Sequence, residues 1–298
     1  MRQNFINTAS VSSMSYYGDC GQKWAYKYLY RLPERKSLAL KVGSLNHLVL
    51  EHINKTLRDT GKPPDQEELY KNIESMAELS IPTSLLKDKK RLKKEQELSE
   101  LDFCKLHLKE VTDQIKRFAD LYIARAEEEF SEVILVEEKH QSTINGVPVN
   151  MIVDCVVKDK DGYLKILDYK TKGKSSNDVA ILQLVSYKLG IEDLLKQEIH
   201  ALEQWDFIRK KDPELVIQKV NLDKLENYKK VFFEELSSFW TGINAGLFVR
   251  NLRSMMCGPT KCDFWDTCMS PGSIEKSHEE TVEFHSDEVS NLNMRRNR

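Results

Sequence analysis

Between Val133 and Thr171 the chain reads VILVEEKH, VNMIVDCVV and YLKILDYKT, three short runs rich in β-branched residues, interrupted at Asn145-Gly146 and Asp161-Gly162. Asn-Gly and Asp-Gly pairs tolerate the positive φ angles of two-residue hairpin loops. The spacing therefore predicts an antiparallel three-stranded meander over 133–140, 149–157 and 163–171. A helical pattern follows at about 178–196, then a strand pair at 199–209 and 214–220 around Asp212-Pro213, and a long helix at about 222–244. Strands mixed with helices in this order predict an α/β fold, a mixed central sheet flanked by helices.

Upstream, residues 12–32 read as a polar start and then a helix, with Trp24, Tyr28 and Leu32 at helical spacing and Pro33 ending it. Gly43 opens a second predicted helix, with Leu45, Leu48 and Ile53 near one face. Residues 62–131 are helical in pattern and heavily charged, as expected of a helical insertion. Within them the run KDKKRLKKEQE at 87–97 is read as a solvated face, with a phosphate-contacting patch as the alternative. The expected organisation is N-terminal core helices at 1–61, the insertion at 62–131, the remaining core with a cysteine cluster at 132–271, and a disordered tail at 272–298.

Composition narrows the function classes. At 40% hydrophobic and 31% charged residues, the chain can build a core and is not a low-complexity sequence. No apolar run is long enough to span a bilayer and the N-terminus has no apolar signal region, so an intracellular, cytoplasmic protein without a membrane partner is expected. The net charge of −2 removes any bulk attraction to nucleic acid; contacts must come from local groups such as Lys170, Lys172 and Lys174.

Several charged residues sit where a structural role alone is expensive. Asp168 and Lys170 alternate with Tyr169 and share one face of the third strand, and Asp154 lies on the neighbouring strand. Charges planted among Val, Ile and Leu call for a partner or a ligand. His47 lies one turn into the second helix, with Glu51 one turn further, and Gln183 and Tyr187 stand four apart on the helix after Lys170. Neither H-x-x-x-E at 47–51 nor TKGKSS at 171–176 completes a zincin or a phosphate-loop motif.

Taken in order, GSLNH (43–47), NGVPVNMIVD (145–154), ILDYKT (166–171) and QLVSY (183–187) resemble the RecB-type branch of the PD-(D/E)xK nuclease superfamily. The resemblance covers about 15–50 and 133–270. It implies a restriction-endonuclease-like core in which His47, Asp154, Asp168 and the backbone carbonyl of Tyr169 bind Mg²⁺ or Mn²⁺. Lys170 would position the attacking water or stabilise the phosphate, with Gln183 and Tyr187 lining the site. Glu137 or Glu138 is implied as an accessory acid. The implied activity is metal-dependent DNA exonuclease action on single-stranded or free ends, in recombination and repair or phage DNA processing. Any helicase or recombination motor would be a separate partner. The alternatives are a structure-specific endonuclease of the same fold and a non-catalytic iron–sulfur DNA-binding scaffold subunit.

Six cysteines are present; Cys104 and Cys155 stand alone, while Cys257, Cys262 and Cys268 form C-x4-C-x5-C. Spaced thiols in an irregular segment point to metal ligation, with Cys20 as the fourth ligand and Zn²⁺ the default by frequency. One distant N-terminal cysteine with a C-terminal triplet also resembles the iron–sulfur staple of AddB-type and CRISPR-associated nucleases, although their first gap is typically two residues. That resemblance implies a structural [4Fe–4S] cluster, with structural Zn²⁺ as the alternative.

Overall fold

A computed structural model of the chain describes residues 7–35, 37–87 and 99–270. The chain divides into two compact units, one built from Lys36–Phe233 and the other from the two ends, Met1–Arg35 with Glu234–Arg298.

In the unit of chain ends, α1 spans Val11–Asp19, and its first turn is capped by Ser10, whose hydroxyl accepts from the Ser13 amide. Within 12–32 the expected polar start is itself helical, and a break separates it from the helix that follows. Cys20 is extended, and the chain resumes as a short helix, Gly21–Trp24, followed by a π-helical turn, Ala25–Leu29. The break has a tertiary cause: a Cβ on Gly21 would stand 2.9 Å from the Val249 backbone nitrogen, so only glycine admits this approach. Trp24 is buried and stacks on Phe248 at 5.5 Å, while the Tyr17 hydroxyl donates to the Leu247 carbonyl. These contacts hold the N-terminal segment against the C-terminal one.

The larger unit starts with α2, Leu38–Thr60, which begins five residues before the expected Gly43 because Ser37 caps it, accepting from the Leu40 amide. The helices α3, Gln66–Ser80, and α4, Glu100–Glu129, follow. Five strands then form one sheet in the order β1 (Phe130–Ile144), β2 (Val147–Asp159), β3 (Leu164–Lys172), β4 (Ala201–Ile208), β5 (Glu214–Lys219). The first three strands are the antiparallel meander, turning at Asn145-Gly146, where both residues have positive φ. Between β3 and β4 lies α5, Ile181–Leu195, and this crossover makes the pair parallel. β5 returns antiparallel, so the sheet is mixed, and α6, Leu225–Asn244, follows it.

The segment expected as an insertion supplies much of the core behind the sheet. Phe118 and Tyr122 of α4 pack with Tyr169, Trp205 and Phe207, together with Leu45, Val49 and Ile53 of α2. Strand alternation sends Leu167 and Tyr169 into that core and leaves Asp168 and Lys170 on the opposite face of the sheet. The acidic and basic residues of β3 are thus held on a rigid strand backed by aromatics. The basic run from Asp88 onward and the tail 272–298 lie outside the described residues. Among the described residues, no helix is long and apolar enough to cross a membrane.

Candidate active site

His47 projects from α2, Glu137 from β1 and Asp154 from β2, and their ligand atoms all lie within 4.8 Å of one another. The His47 Nδ1 is 3.7 Å from Asp154 Oδ1 and 3.8 Å from Glu137 Oε1. The other oxygen of Asp154 accepts from the Tyr169 backbone amide at 2.7 Å, which ties β2 to the neighbouring strand and orients the carboxylate. Asp168 is fully buried and faces Lys170, whose Nζ is 2.9 Å from Oδ1 and 2.8 Å from Oδ2. Lys170 also donates to Gln183 Oε1 at 3.3 Å, and the Gln183 amide donates to the Tyr187 hydroxyl at 2.5 Å.

The sequence left Glu137 and Glu138 equivalent; Glu137 is the one that lies with His47 and Asp154. Val136 pairs with Cys155 and Glu138 with Val153, which leaves Glu137 beside Asp154 with a left-handed φ of 48°. Simple alternation along the strand could not reveal this, because the left-handed residue departs from extended geometry. A non-glycine residue held there costs about 1–3 kcal/mol, a form of strain that concentrates at functional sites. Two further expectations acquire detail. Tyr169 turns its ring into the core and contributes its amide hydrogen bond to the site. Lys172, expected among the DNA-contacting groups, is paired with Asp206 at 2.7 Å.

The electrostatics of the site are dominated by burial of its acids. Burial, reinforced by Asp168 and opposed by His47, pushes the Asp154 carboxyl up to about 7. Asp168 is also raised, by burial acting against Lys170. For His47, burial opposes the imidazolium, but Glu137 and Asp154 outweigh it and raise the group. Crowded, desolvated acids that resist ionisation alone are stabilised as carboxylates by a divalent cation. Carboxylate oxygens with one imidazole suit Mg²⁺ or Mn²⁺.

In the unit of chain ends, Cys20, Cys257, Cys262 and Cys268 line one cavity together with Tyr26, Arg250 and Phe264. Burial raises the Cys262 and Cys268 thiols. Tyr26 is buried with its hydroxyl beside Cys268, and burial with the adjacent Cys268 pushes it up to about 12.

Comparison with known proteins decides the family. The family description "PD-(D/E)XK nuclease superfamily" matches residues 8–269. The chain belongs to this superfamily. PD-(D/E)XK nucleases act on nucleic acid and use divalent metals, so the His47–Glu137–Asp154 cluster has the donor chemistry that the family requires. Among solved structures, a candidate exonuclease from Eubacterium rectale aligns with a TM-score of 0.51 at 15% identity, covering 83% of this chain and 85% of that one. At that identity the likeness is one of fold. A second structure, SSO0001, aligns with a TM-score of 0.27 at 13% identity over 65% of this chain and 96% of that chain, and carries no argument. No curated protein matches.

Proposed function

We propose that the chain is a metal-dependent deoxyribonuclease of the RecB/AddB type, acting as an exonuclease on single-stranded or resected ends. The observation that carries this reading is the convergence of His47, Glu137 and Asp154 beside an intact Asp168–Lys170 pair. A degenerate scaffold subunit would have no need to keep that pair. In this reading His47, Asp154, Asp168 and the Tyr169 carbonyl hold Mg²⁺ or Mn²⁺, with Glu137 as a further acid. When bound, the ion supplies charge neutralisation at the phosphate and a more acidic water. Lys170, steered by Asp168 and Gln183, holds that water or the phosphate oxygen in line, and Tyr187 fixes the Gln183 amide. The name of the Eubacterium rectale neighbour accords with exonuclease action, and a recombination, repair or phage DNA-processing context follows from the RecB resemblance.

The same reading gives the four thiolates a structural [4Fe–4S] cluster that joins α1 to the C-terminal segment. The shared cavity of Cys20, Cys257, Cys262 and Cys268 supports a metal centre held by these thiols. The buried Tyr26 hydroxyl sits against Cys268, placed to donate to a metal-bound thiolate. The preference for the cluster over zinc rests on the resemblance of the C-x4-C-x5-C run with its distant Cys20 to the iron–sulfur staple.

The test is an anaerobic preparation assayed on end-labelled single- and double-stranded DNA with Mg²⁺, Mn²⁺ or EDTA. Hydrolysis is expected with metal and not with EDTA. Asp168→Asn and Lys170→Met should each lower the rate by at least about 100-fold with an unchanged circular dichroism spectrum. Parental rates in either variant would refute the site, and a failure of the parent with both metals would favour the scaffold reading. Separately, Cys262→Ser should lose the broad visible absorption and bound iron of the parent. A colourless parent carrying zinc would overturn the cluster.

A further inference from the structure

The start of α5 has no capping side chain of its own; Ala180, which precedes it, is held from another strand. The Ala180 amide donates to Gln204 Oε1 at 2.7 Å, and Gln204 Nε2 donates to the Asp178 carbonyl at 3.0 Å. Gln204 also donates to Asp206 Oδ1 at 2.8 Å. Asp206 Oδ2 accepts from Lys172 at 2.7 Å and from the Gln218 amide, and Gln218 donates in addition to the Ser176 carbonyl at 3.0 Å. Lys172 reaches the Asp178 carbonyl as well, at 3.0 Å. Asp206 is fully buried and Gln204 nearly so. A polar hub on β4 and β5 thus grips Ser176, Asp178 and Ala180, the connection between the strand bearing Lys170 and the helix bearing Gln183.

This hub is an expensive way to fill space. A buried carboxylate with its lysine is commonly replaceable by apolar groups without loss of stability, so its retention asks for another reason. Its position supplies one. In the parallel register, Asp168 lies beside Gln204 and Lys170 beside Asp206, so the hub sits one strand away from the catalytic pair and on the same face. We infer that Asp206, through Gln204 and Gln218, is a positioning residue: it fixes residues 176–180 and hence the first turn of α5, keeping Gln183 within reach of Lys170. The inference rests on the reading of Lys170 and Gln183 proposed above.

The experiment combines steady-state DNA hydrolysis with amide hydrogen exchange on the full chain. Asp206→Asn preserves shape and removes the charge that gathers Lys172 and Gln218. It should lower kcat by about 10- to 100-fold, the range expected from a misplacement of an ångström or less, while KM stays within about twofold. In the Gln183→Ala background the same change should cost no further rate, because the group through which it acts is gone. Exchange at amides 180–184 should accelerate by at least about tenfold as the tie to Ala180 loosens. Equal losses of rate in both backgrounds, or unchanged exchange at 180–184, would overturn the inference. Should Asp206→Asn not fold, Gln218→Leu removes only the ties to Asp206 and Ser176. It must then give a smaller loss, about threefold or more, that again vanishes beside Gln183→Ala; an additive or absent loss overturns the inference. A parent without hydrolysis would refute the catalytic reading, and the exchange result would still decide whether the hub holds the loop.

Discussion

Tyr169 divides its groups between the two faces of the sheet. Its backbone amide donates to Asp154, and its hydroxyl lies 2.7 Å from the Tyr122 hydroxyl on the opposite side. Tyr122 donates to Asn54 Oδ1 at 2.6 Å, and the Asn54 amide donates to Tyr169 at 3.1 Å, closing a ring of three buried polar groups. Each has its partner within the ring, so removing one strands the other two. Tyr122→Phe should therefore destabilise the chain by about 1–3 kcal/mol, read from the urea midpoint at unchanged slope. A loss below about 0.5 kcal/mol would mean that the ring adds nothing beyond aromatic packing. The D-x-K triplet was legible because alternation on a strand is a local rule. The ring was not, since Asn54 and Tyr122 carry no local signal that separates them from surface polar residues.

At the scale of the element, the β2–β3 hairpin depends on Asp159. Its Oδ1 accepts from the Asp161 amide at 3.0 Å and the Tyr163 amide at 2.9 Å, and Lys165 stands 3.1 Å from the other oxygen. Burial works against the charge, but the Tyr163 amide and Lys165 outweigh it and hold the carboxyl below its ordinary range. A group depressed in the folded state contributes stability above its unfolded pKa and loses it as pH falls through the folded one. Asp159→Ala should accordingly cost about 1–2 kcal/mol at neutral pH, with the gap from the parent narrowing as pH approaches about 3. Denaturant melts of both proteins across this range are the check, and a gap independent of pH would contradict the assignment. The Asp161-Gly162 turn itself was plain in the sequence, because turn chemistry is carried by adjacent residues. The break at Cys20 was hidden, since the Val249 backbone that enforces it lies far along the chain.

Across the whole molecule, the charge balance limits how nucleic acid can be held. The net charge is −2, and Lys172, beside the site, is paired with Asp206. Each phosphate neutralised on duplex DNA contributes about −0.9 to the slope of log affinity against log salt, so a slope no steeper than about −4 is expected. Titrations of a Lys170→Met variant with labelled duplex over a range of salt would measure it. A much steeper slope would require an extensive basic surface.

What the sequence alone determined was the succession of strands, turns and helices, the α/β class, and the ordered polar motifs that mark the superfamily. All of these rest on short-range periodicity and turn chemistry, which are written within a few residues of one another. Only the tertiary structure decided that Glu137 and not Glu138 joins His47 and Asp154, that Lys172 is tied to Asp206, and that α4 backs the sheet. Those outcomes depend on which distant side chains meet once the aromatic core is packed, and pairwise distances of that kind have no counterpart in local pattern.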